Sequence, residues 1–142
     1  MKRVCCTAVL LALLLLPSLS PAQSVDALIQ QGVENSQSGR YDQAIQSFEA
    51  ALKLKPNDPG LITFKGIVYY AQGKNDLAMQ QFEAALKINP NFGRAYYQRA
   101  MVHQSQDKFD KALPDLEKAK GLGYPVDPDF IALIKRKMAE HK

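Results

Sequence analysis

GVENSQSGRYDQAIQSFEAALKLKP, residues 32–56, returns thirty-four residues later as GIVYYAQGKNDLAMQQFEAALKINP, residues 66–90, and a third time, more loosely, as AMVHQSQDKFDKALPDLEKAKGLGY, residues 100–124. Ala44, Ala78 and Ala112 share one phase, Ala51, Ala85 and Ala119 a second, and Phe48, Phe82 and Leu116 a third. A period of this length marks a stack of helical hairpins, each unit too small to bury its apolar face alone. Apolar residues at helical spacing (Leu28 and Gly32; Ile62, Gly66 and Tyr69; Tyr96 and Ala100) precede Ser38-Gly39, Gln72-Gly73 and Gln106-Asp107, and a second helical segment follows each turn.

Working outward, the units run 25–58, 59–92 and 93–126 without insertion or deletion. The small residues Gly32, Gly66 and Ala100 are expected to let the two helices of a hairpin approach, and Phe48, Phe82 and Leu116 to fill the space between units at roughly 1.5 to 3 kcal/mol each. Asp42, Asp76 and Asp110 fall at the start of each second helix, where unpaired N–H groups and the positive dipole end favour a carboxylate. Pro56 and Pro90 stop those helices, while Pro114 falls inside one and predicts a kink or a late start.

This pattern resembles the tetratricopeptide repeat, whose small, aromatic and proline positions are largely filled over residues 25–126. The chain departs from that family at Leu28, Ile62 and Tyr96, where Trp is usual, at Gln31, Lys65 and Arg99, where Leu is preferred, and at Asp107, where Gly stands. The resemblance implies an all-α, right-handed solenoid of three hairpins. Residues 127–142 continue the register as one more helix with Phe130, Leu133, Ile134 and Met138 on one face, and Ile134 stands at the phase of Gly32. Such a helix caps the open end of the stack; the alternative is an amphipathic helix that lies on a membrane or a partner.

Residues 1–22 read differently. Lys2 and Arg3 precede an uncharged apolar run from Val4 to Leu16, and Ser20 and Ala22 are small residues suited to a signal peptidase. A secretory leader cleaved after Ala22 is expected, with a periplasmic or secreted product; an uncleaved leader would instead anchor the protein in a membrane. Without Lys2 and Arg3 the balance is 16 basic to 14 acidic residues, interleaved, so no nucleic-acid partner is implied. Cys5 and Cys6 both lie in the leader, which leaves the remaining chain no thiol for a disulfide, a metal or nucleophilic attack.

Chemistry has few candidates. His103 and His141 are far apart and form no metal site at recognised spacing, and no glycine-rich phosphate loop or Gly-x-Ser-x-Gly is present. Glu49, Glu83 and Glu117 recur in register, which favours a scaffold ladder over an acid pair set at one distance. No enzyme activity, cofactor or metal is therefore expected.

The resemblance places the first helix of each unit on a concave side. Among the inward positions, Ile29, Val33, Ile67, Tyr70, Tyr97 and Met101 would form an apolar, aromatic strip, with Asp26 and Arg94 at its rim. Chaperone-binding members of the family clamp a terminal carboxylate with Lys, Asn and Arg side chains. Here Ile29, Val33, Phe64 and Gln98 occupy four of those positions, and Arg94 alone matches. The strip suits an apolar peptide or partner protein. The expected function is a non-enzymatic protein-binding adaptor in the cell envelope; the alternatives are a self-associating module, in which the groove receives another copy's C-terminal helix, and a membrane-tethered adaptor.

Overall fold

The computed structural model describes residues 24–140. They form seven helices, α1 (Val25–Gln37), α2 (Tyr41–Leu54), α3 (Pro59–Ala71), α4 (Asn75–Ile88), α5 (Gly93–Ser105), α6 (Phe109–Gly121) and α7 (Pro128–Glu140). Helices α1 and α2, α3 and α4, and α5 and α6 pair as hairpins, each hairpin packs on the next, and α7 lies against α6. The architecture is an all-α solenoid of three hairpins closed by a capping helix. The leader expected at 1–22 lies outside the described residues.

Local chemistry sets the helix ends. Ser24 Oγ accepts the Ala27 N–H at 3.1 Å, and Asp58 Oδ1 accepts those of Gly60 and Leu61 at 2.8 and 3.1 Å, with Pro59 in the first turn where its missing donor costs nothing. The second helices start without side-chain caps at Arg40, Lys74 and Lys108. Asp42, Asp76 and Asp110 thus lie inside the first turn and meet the helix dipole without capping a backbone N–H. Gly39 and Gly73 turn the hairpins at φ 72° and 74°; Asp107 takes the same left-handed conformation at 56°, which Asp tolerates better than most side chains. Helices α2 and α4 end before Pro56 and Pro90.

Two packing expectations are revised. Helix α6 starts in phase at Phe109 and continues through Pro114, so no late start occurs. Pro114 and Asp110 are both exposed, and water can satisfy the carbonyl that the proline leaves unbonded. The glycines, for their part, make room for a ring. A Cβ on Gly32 would stand 2.6 Å from Phe48 Cζ, and one on Gly66 2.5 Å from Phe82 Cε1. Each phenylalanine therefore fills the gap inside its own hairpin. In the third unit the receiving residue has grown to Ala100 and the incoming one has shrunk to Leu116, both fully buried. Phe48 also reaches the next unit, its ring parallel to Phe64 at 5.4 Å.

On α7 the buried residues are Ile131 and Ile134, with Phe130 and Met138 packed at the margin of the same cluster as Leu116 and Ala119. Ile131 adds to the apolar face expected from Phe130, Leu133, Ile134 and Met138. Lys135 pairs with Glu117 on α6 at 3.2 Å.

Candidate functional site

Three first helices and one second helix converge on an apolar recess of about 210 Å³. Helix α1 contributes Val33, Ser36 and Gln37, α2 contributes Phe48, α3 contributes Phe64, Ile67 and Val68, and α5 contributes Arg94. The stacking of Phe64 on Phe48 builds one wall. Arg94 lies across the open face of that wall, with its guanidinium carbon 4.3 Å from the Phe64 ring centre, a cation–π arrangement. Its Nε is buried and has no hydrogen-bond partner, and no carboxylate among the described residues pairs with it.

Of the eight inward residues named from the sequence, Asp26 is exposed and the other seven are half-buried, and these fall in different places. Val33, Ile67 and Arg94 come together in the recess. Ile29 packs on the cluster of Leu28 and Phe48 below it. The Tyr70 hydroxyl donates to the Met101 carbonyl over a long 3.4 Å, tying α3 to α5. Tyr97 packs at the stack's end, 5.2 Å from the Tyr124 ring and 6.4 Å from Phe130 of α7. Phe48, Phe64 and Val68 are apolar recess residues absent from the inward strip; of these, Phe64 stands at a position where clamp-bearing relatives carry a polar side chain, and the aromatic exchange there is the available signal.

A second cluster is polar and lies between α5 and α6. Arg99 Nε and Nη2 donate to Asp115 Oδ2 and Oδ1, both at 2.7 Å, in a two-pronged pair. Asp115 is buried, and Arg99 also faces the Tyr96 ring at 5.4 Å. His103 Nε2 stands 4.0 Å from Asp115 Oδ2, and its Nδ1 is buried without a partner. Burial pushes the His103 pKa down; Asp115 opposes this, while Arg99, Lys111 and Lys108 reinforce it.

The folded chain thus holds His103 neutral more readily than the unfolded chain does. Where pH falls below about 6.5, the unfolded state takes up the proton first and stability declines, until the folded-state pKa is passed. Replacing His103 with Gln is expected to flatten this slope, measured as the difference in urea midpoint between pH 7.5 and 5.5. An unchanged slope would assign the pH dependence to other groups.

The carboxylates do not form a reaction centre. Asp115 is engaged by Arg99, Glu49 pairs with Lys65 at 3.2 Å, and Glu117 pairs with Lys135. Among the described residues no group of three or more His, Cys, Asp or Glu side chains is placed to hold a metal ion, and no helix is long and apolar enough to cross a membrane.

A family pattern described as tetratricopeptide repeat matches residues 36–102, and a second of the same description matches residues 93–122. No curated protein matches the chain. Among solved structures, the first TPR of Spaghetti (RPAP3) bound to the HSP90 peptide SRMEEVD is similar at TM-score 0.71 and 23% identity, covering 83% of this chain and 95% of that one. The first TPR domain of the human RPAP3 protein gives TM-score 0.73 at 22% identity over 84% and 95%. The TPR2B domain of yeast Sti1 in complex with pHsp70 gives 0.70 at 18% over 83% and 98%. These structures correct the expected location. The similar domains include ones from a human and a yeast protein and one holding an HSP90 peptide, so the periplasmic or secreted assignment is withdrawn.

Proposed function

Because the chain belongs to the tetratricopeptide repeat family, we propose that it is a non-enzymatic adaptor that holds a peptide segment of a partner protein against the first helices of its three hairpins. The observation that carries this reading is the recess bounded by Val33, Phe64, Ile67 and Arg94, an apolar concavity with one unpaired cation at its wall. Its volume, about 210 Å³, is below the roughly 300 to 1,000 Å³ of sites for drug-sized ligands and suits a single side chain. The HSP90 peptide bound to the similar RPAP3 domain and the pHsp70 complex of the similar Sti1 domain support the same use of the fold. Recognition here does not follow the carboxylate clamp, since Ile29, Val33, Phe64 and Gln98 replace its polar members. Ile29, Tyr70 and Met101 would flank the bound segment, and Tyr97 serves the packing of α7.

Gln37 is exposed at the lip of the recess, so its replacement by Trp can block the mouth without entering the core. Partner proteins captured by the native chain are expected to be lost from Gln37→Trp at unchanged melting temperature. Retention of the same partners by both would place binding elsewhere on the solenoid.

A further inference from the structure

Arg94 is part of the wall of two recesses. On one side is the cavity of Val33, Phe64 and Ile67; on the other is a more open, mainly apolar hollow of about 380 Å³ lined by Phe92, Leu122, Tyr124 and Pro125, where the start of α5 meets the connection from α6 to α7. The guanidinium between them stands over Phe64, its carbon 4.3 Å from the ring centre, with a buried, unbonded Nε. A buried donor without an acceptor is an unmet cost of folding. The two amino groups of the guanidinium are not among its buried atoms and no carboxylate among the described residues pairs with them, so a ligand that brings a carboxylate there gains a charge-assisted bond.

We propose that this site reads an internal acidic residue of a partner peptide, Asp or Glu, with an apolar residue on each side of it. The carboxylate pairs with Arg94, one apolar side chain enters the cavity beside Phe64, and the other covers Leu122 and Tyr124. The inference rests on the groove reading above and sharpens its ligand. Charge complementarity selects the acid. The second recess selects an internal residue over a chain terminus, because a terminal carboxylate on Arg94 leaves one of the two recesses empty. Phe64 stacks against the cation, and thus acts as a positioning residue for it.

The test is selection from a random peptide library, displayed within a carrier loop so that both ends are continuous, on the full chain and on Arg94→Gln and Arg94→Lys. A second library presents the same diversity with a free C-terminus. The native chain is expected to enrich peptides with an acidic residue flanked by apolar ones from the loop library. An amidated synthetic peptide of that sequence should bind at least tenfold more tightly than its Asp→Asn or Glu→Gln counterpart. Arg94→Gln should abolish this acid preference and keep the apolar one, while Arg94→Lys keeps part of both. Apolar enrichment without acid preference, an acid preference that survives Arg94→Gln, or enrichment from the free-terminus library alone would overturn the inference and leave the groove reading intact. Failure to enrich any peptide would overturn both.

Discussion

Asp115→Ala is expected to lower the stability of the protein by about 3 kcal/mol, the low end of the range for breaking a buried ion pair by removing one partner. The carboxylate is buried and accepts two 2.7 Å bonds from Arg99, whose side chain remains 24% exposed. That exposure lets water solvate part of the orphaned guanidinium and keeps the loss from being larger. The pair stands where units one and two place Gln31 with Ser47 and Lys65 with Gln81, so the fold does not require an ion pair between these positions, and unit one carries no charge at either. Arg99→Met with Asp115→Leu should therefore recover most of the lost stability, as apolar replacement of buried pairs often does. Urea denaturation of the native chain and these two variants measures this. A cost below about 0.5 kcal/mol for Asp115→Ala would mean that the pair behaves as an exposed one.

Gly66→Ala is expected to destabilise despite improving helix propensity. The methyl group gains about 1 kcal/mol in a helix interior, but its carbon would lie 2.5 Å from Phe82 Cε1 and 3.0 Å from Gln81 Cβ. Phe82 is fully buried, and overpacking of this kind costs roughly 1 to 3 kcal/mol. Phe82→Leu alone should also destabilise, by leaving a void. Together the two substitutions reproduce the Ala100 and Leu116 pair of unit three, so the double variant should be more stable than the sum of the singles implies, by at least about 1 kcal/mol of coupling. Additive effects would show that ring and glycine are independent, against the contact geometry.

The 34-residue period carried the helices, the hairpins and the cap because every unit buries the same phases, and burial is what a repeated apolar position records. Which partner uses the space above Gly32 or Gly66 depends on distances between helices, and the one-dimensional pattern suits a close backbone approach as well as an inserted ring. The recess was legible in part. Val33, Ile67 and Arg94 follow from inward register, whereas Phe64 is bound to the site by stacking on Phe48, a contact between units that periodicity does not report. Tyr97 illustrates the converse: its register is inward, yet its ring is engaged by Phe130 of a helix outside the repeats. The pairing of Arg99 with Asp115 is peculiar to unit three and so has no periodic signature. Residues 1–22 suggested a location that the related folds do not share.

Ile134 stands at the phase where the three hairpins carry glycine or alanine, and it is itself almost fully buried. In the hairpins, that small residue is a socket awaiting a side chain from the following helix. Here the plug is built into the socket. The solenoid consequently has a built-in terminator: a further repeat spliced on after α7 would find its anchoring ring excluded. The length of surface offered to a partner is therefore set by α7 as much as by the number of repeats, and an engineer wishing to lengthen it would have to reopen Ile134 to glycine before adding any helix.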